Sequence, residues 1–108
     1  MRYHHLILLL LCSWVLWVEH ERIGVGDKNY ERQWVPEAAY PEGRYEQCIQ
    51  DMKTLAQRRA EGFKTGPNVK SVKLDELIGN RMSIHIELKS GGSIFNTYVC
   101  FPDTVKPE

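Results

Sequence analysis

Apolar positions recur along the chain with different spacings, and each spacing implies a different element. Residues 6–18 form an uncharged, mostly apolar run behind Met1-Arg2, and a positive end followed by such a stretch marks a membrane-targeting segment. The second half of the run also fits a strand. Trp14, Leu16 and Val18 alternate with Val15, Trp17 and Glu19, and the β-favouring residues of 14–21 predict that the folded part opens there. This strand is expected to pair with residues 30–39 across the turn-rich Gly24-Val25-Gly26-Asp27-Lys28-Asn29.

Further along, the period changes to that of a helix. Tyr45, Cys48, Ile49, Met52, Leu55, Ala56, Ala60 and Phe63 recur every three or four residues, which predicts an amphipathic helix over 42–62. Pro41 precedes its first turn, Glu42 and Glu46 lie near its positive end, Arg58 and Arg59 near its negative end, and Gly62 is the expected stop. Three strand-like runs follow. Residues 69–74 are the weakest; residues 81–89 set Met82, Ile84, Ile86 and Leu88 against Ser83, His85 and Glu87; Ser90-Gly91-Gly92 turns the chain, and 93–101 returns. In that last run Ile94, Tyr98 and Cys100 share one face while Phe95, Val99 and Phe101 share the other. Both faces therefore need cover, one from the helix and one from the N-terminal hairpin. The expected fold class is α+β, an antiparallel sheet with one amphipathic helix on a face, in a single domain over 14–102 with a short flexible tail at 103–108.

Composition narrows the function classes. Lys plus Arg number 14, as do Asp plus Glu, so the formal charge is zero. The basic face that a phosphate backbone requires is missing, and so is the acidity of a disordered tail. Three cysteines are present. Cys12 lies in the apolar run, which leaves Cys48 and Cys100 as an even pair, as an oxidising compartment favours. Closing so long a loop is worth about 4 kcal/mol in the chain-entropy model, a large share of a small domain's stability.

The 13 residues of 6–18 fall short of the roughly 20 that span a bilayer as a helix. In one reading 1–13 are a signal peptide, Leu11-Cys12-Ser13 is a loose cleavage site and Trp14 begins the mature chain. In another, 3–18 stay as a short anchor in the inner membrane with Trp14 and Trp17 at the interface. A buried core helix of a cytosolic protein is the plain alternative to both. Lipid attachment at Cys12 is disfavoured by Leu11, where a small residue belongs. Either of the first two readings exports the domain, to the periplasm or beyond.

Candidate chemistry is thin. Gly24-Val25-Gly26-Asp27-Lys28 lacks the Gly-Lys-Ser/Thr ending and following helix of a phosphate loop, and a hairpin turn explains it. His20-Glu21 would join His85-Glu87 in a surface metal or acid–base site if their strands were neighbours; ordinary polar alternation on a strand explains the same residues. Pairing accounts for Cys48 and Cys100. Ser71, Ser83, Ser90 and Ser93 lie outside any nucleophile elbow, and Glu37, Glu42, Glu46, Asp51 and Glu61 read as solvated. Trp14, Trp17, Trp34, Tyr40, Tyr45 and Tyr98 suit either a binding surface or, more simply, the core of a small domain. No catalytic residue, cofactor or metal ligand is expected.

The segments Trp34-Val35-Pro36-Glu37-Ala38-Ala39-Tyr40, Arg44, Glu46-Gln47-Cys48 and Tyr98-Val99-Cys100-Phe101-Pro102-Asp103-Thr104-Val105-Lys106-Pro107 carry a resemblance. The chain resembles a family of small, uncharacterised exported bacterial proteins. In these a signal segment runs into Trp-Val-Leu-Trp, a Trp and an Ala-aromatic step precede the first Cys, and the end reads Cys-Leu-Pro-Asp-Thr-Val-Asp-Pro-Arg. Here Phe101 stands for Leu, Lys106 for Asp, and the closing Arg is missing. The resemblance implies export and the Cys48–Cys100 bridge, and no activity.

The resulting expectation is a non-enzymatic, disulfide-stabilised module of the cell envelope acting through surface contacts with a protein partner, with membrane contact only through the N-terminal segment. The alternative is an inhibitor or ligand-binding module for an extracellular enzyme or small molecule, which a pocket between hairpin and helix would favour. An enzyme comes third, and would need His20 or His85 to meet a carboxylate in a cleft.

Overall fold

Five antiparallel strands and one helix make up the protein in a computed structural model that describes residues 13–24 and 30–107. The expected targeting segment up to residue 12 and the loop 25–29 lie outside the described residues. The elements run β1 (Trp14–Ile23), β2 (Glu31–Tyr40), α1 (Tyr45–Lys64), β3 (Val69–Glu76), β4 (Arg81–Leu88) and β5 (Ser93–Pro102). The sheet order is β2-β1-β5-β4-β3, so a hairpin and a three-stranded meander are zipped together between β1 and β5. This is the expected α+β fold, and residues 14–23 are a strand of it.

One expectation is corrected. The N-terminal hairpin does not cover the second face of β5 but extends the same sheet, pairing from Trp14 opposite Pro102 to Ile23 opposite Ser93. The physical reason is the backbone: a strand next to a free edge satisfies a whole row of N–H and C=O groups, which stacking on a face cannot do. β1 and β5 thus become interior strands, with β2 and β3 at the edges. Even so, Val99 on the second face is fully buried and Phe95 and Phe101 are half-buried.

The helix is shifted toward the C-terminus of its expected span. Glu42 and Gly43 form a turn, closed by Arg44 N–H on the Pro41 carbonyl at 3.1 Å, and Gly43 has φ 83°, a conformation that costs glycine least. Gly62 does not stop the helix, which runs to Lys64. One interior glycine costs only about 1 kcal/mol, and the stop comes instead from Thr65, whose backbone N–H and hydroxyl both return to the Gly62 carbonyl, with Pro67 beyond.

The core lies between helix and sheet. Cys48, Met52, Ala56 and Ala60 of α1 pack on Leu16 and Val18 of β1, Tyr98 and Cys100 of β5, and Met82, Ile84 and Ile86 of β4. Cys48, one turn into the helix, is bonded to Cys100 across 52 residues with a Cα–Cα distance of 6.2 Å, within the ordinary disulfide range. This core is mostly aliphatic, but of the six aromatic residues Tyr98 belongs to it and Trp14, Tyr40 and Tyr45 pack against it, as the core reading expects, while Trp17 and Trp34 do not. Of these six, Tyr98 alone is fully buried; Trp14 meets Tyr45 at the edge with ring centroids 4.5 Å apart, and Trp17 and Trp34 fall on the sheet's other face. The flat aliphatic rows of three strands leave a thin layer that Ala56 and Ala60 fit better than rings do.

Candidate functional site

The helix crosses the sheet diagonally, and that crossing creates a site. Its start is fixed over the β1/β5 corner by Cys48 and by the Tyr45 contact with Trp14. Its last turns lean toward β3, where Ala60 and Lys64 face Val72 and Leu74. The far half of β1 and β2 is consequently uncovered, and a cleft of about 610 Å³ opens between the hairpin and residues Arg59 and Phe63 of the helix.

Antiparallel pairing sets its floor. His20 of β1 lies opposite Asn96 of β5 and Gln33 of β2, and Arg22 lies opposite Ile94 and Glu31. Asn96 is 3% exposed and sits in the row Ile94, Asn96, Tyr98, Cys100 that otherwise feeds the core. A buried polar side chain in an apolar row carries more information than any exposed one. Asn96 is held by His20, with Nδ1 donating to Oδ1 at 2.9 Å. The bond uses Nδ1 as donor and leaves Nε2 facing away from Asn96.

The wall is a charged pair. A bulge opposite Leu16 and Trp17, at Pro36 and Glu37 of the edge strand, breaks the register of β2, as an extra residue with no ladder N–H readily does. The Glu37 carboxylate then meets the Arg59 guanidinium at 2.9 Å. Arg59 also lies 5.8 Å from the ring centroid of Tyr98. Burial lowers the Arg59 pKa, but Glu37 and Tyr98 more than offset it and the net shift is upward; Tyr98 is raised by burial, against the pull of Arg59. The Tyr98 hydroxyl is buried with no hydrogen-bond partner of good geometry. Arg59 is thus a locked cation.

Chemically, the cleft offers an imidazole nitrogen, two amides, Glu37 with Arg59, and the apolar surfaces of Phe63 and Ile94. The residues lining it include no hydroxyl, thiol or lysine. His20 shares the cleft with Glu31 and Glu37, but its hydrogen-bond partner is Asn96, and it does not converge with His85. β5 separates their strands, and His85 faces the other side of the sheet, stacked on Phe95 with centroids 4.3 Å apart. Among the described residues no group of three or more His, Cys, Asp or Glu is placed to hold a metal, and no helix is long and apolar enough to cross a membrane. Glu42, Glu46 and Glu61 are exposed, while Asp51 accepts hydrogen bonds from Tyr40 at 2.7 Å and Gln47 at 2.8 Å. The four serines stay in strand or turn positions.

Sequence reasoning missed Asn96, Arg59 and the role of Glu37. Asn96 had a signal, the single polar break in the alternate row of β5; the other two depend on the helix angle and the bulge. In comparisons with protein-family models, with curated proteins and with solved structures, the chain finds no match.

Proposed function

We propose that the protein is an exported, non-enzymatic binding module of the cell envelope, and that a small polar ligand enters the cleft between hairpin and helix. The observation that carries this reading is Asn96, a nearly buried polar side chain spent on orienting His20 at the cleft floor rather than on the core. A pocket between hairpin and helix is what separates a ligand-binding module from one acting only through its outer surface. The charges around the cleft balance: Arg22 and Arg59 stand against Glu31 and Glu37, while Arg32 is engaged by Glu19 on the other face. That balance favours a ligand of no net charge, oriented by hydrogen bonds and resting on Phe63 and Ile94. The lining holds no hydroxyl, thiol or lysine nucleophile, and Glu37 and Glu21 are engaged by Arg59 and Tyr30, which supports binding over turnover.

Export is supported by the disulfide, and the commitment of Trp14–Ile23 to the sheet favours a cleaved segment over an anchor that runs to residue 18. Intact mass of the chain recovered from cell envelopes tests it: cleavage after Ser13 and no alkylation of Cys48 and Cys100 before reduction are expected. For the cleft, thermal-shift and calorimetric titration with panels of neutral sugars, amides and zwitterionic amino acids should find a ligand whose binding weakens at least about tenfold in Arg59→Met, a loss of roughly 1.4 kcal/mol. Binding unchanged in Arg59→Met and in Glu37→Gln, or confined to strongly anionic compounds, would overturn the assignment.

A further inference from the structure

The opposite face of the sheet holds a second recessed surface of a different chemical character. A groove of about 500 Å³ runs between Trp34 of β2, Phe101 of β5 and Leu77 after β3, and the tail residues Lys106 and Pro107 form its rim. Its one carboxylate, Glu19, is 8% exposed and already engaged by Arg32 across the β1–β2 ladder. Arg81 lies 5.5 Å from the ring centroid of Phe101, and neither Arg81 nor Lys106 has a carboxylate partner among the described residues. The groove therefore carries uncompensated positive charge in a chain whose formal charge is zero. Leu77 in its lining is 53% exposed, and its chain neighbour Ile78 and Val105 beside Lys106 are exposed by 63% and 44%. Exposed apolar side chains beside a recess mark a contact surface.

We infer that this groove docks an acidic, apolar-flanked peptide segment of a protein partner. Two unmatched cations select carboxylates and disfavour basic segments. The aromatic walls and the exposed aliphatic rim receive apolar side chains on either side of those carboxylates, as a rim-and-pocket surface does. The site is separate from the cleft, on the other face of the sheet, and does not depend on it.

The test uses the disulfide-bonded mature chain and three fluorescent probe peptides of equal length. One alternates Glu with Leu, one alternates Lys with Leu, and one alternates Glu with Ser. Only the Glu/Leu peptide should bind well, and raising salt from about 0.05 to about 0.5 M should weaken it several-fold. Lys106→Glu, on the exposed tail, should weaken it by about tenfold, whereas Lys70→Glu, the same charge change on β3, should leave it within about twofold. Leu77→Ser, which leaves the charge unchanged, should also weaken it, and this separates docking from bare charge attraction. Equal binding of the Lys/Leu peptide, or equal effects of Lys106→Glu and Lys70→Glu, would overturn the inference. So would Glu/Ser binding as tight as Glu/Leu, because that outcome shows an unspecific anion site.

Discussion

The two ends of the helix–sheet layer are built from the same rows of residues and differ in almost every physical respect. At one end the helix start is bonded to β5 through Cys48–Cys100, Trp14 closes on Tyr45, and Leu16 and Met52 are fully buried. At the other end the same two strands continue with His20 and Asn96, and the helix has moved off toward β3, leaving a cleft. One end is covalent and dry, the other polar and open. A small domain gathers its stability where a staple and a packed layer coincide, and that concentration frees the remaining half for groups that a core would reject.

If that division holds, the largest effect comes from the staple. Replacing both Cys48 and Cys100 by Ala should lower unfolding free energy by about 4 kcal/mol; urea denaturation of the disulfide-bonded protein measures it, and a loss under 1 kcal/mol would break the contrast. Next comes packing. Met52→Ala, at a fully buried position, should cost about 3 kcal/mol, and Phe63→Ala, half-buried at the cleft, about 1 kcal/mol. Equal costs would mean that the two ends are packed alike.

A smaller effect separates the ends by pH. Tyr40, pairing with Trp14 and donating to Asp51 at 2.7 Å, has its pKa pushed up to about 12, by burial first and by Asp51 second. The unfolded chain gives up this proton near pH 10, so the contribution is complete below that and falls away as pH rises toward 12. Tyr40→Phe should cost about 1 kcal/mol near neutrality and show a shallower decline between about pH 10 and 12. An identical alkaline slope in both proteins would remove Tyr40 from the stapled end's account.

The contrast was half legible in the chain itself. Period-two runs placed β4 and β5, the three-and-four spacing placed the helix, and cysteine parity placed the staple, because each depends on local spacing alone. The cleft depends on quantities that spacing does not carry. It needs the crossing angle of the helix, the slip of register at Pro36 and Glu37, and β1 pairing with β5 rather than lying over it. Trp17 and Trp34 were read as core material for a related reason. Aromatic content says how much surface is available to bury, but which face receives it follows from the sheet order.

Asn96→Val is the most direct test of the division, since valine suits an interior strand and matches the neighbouring Ile94 and Ile84. In equilibrium denaturation the variant should be as stable as the parent or more so, by up to about 1 kcal/mol, because an apolar row is completed and the exposed His20 is rehydrated. Ligand binding in the cleft should be lost along with the His20 hydrogen bond. A stability loss of about 2 kcal/mol or more would contradict the account, for it would make Asn96 a structural residue and the cleft floor part of the core.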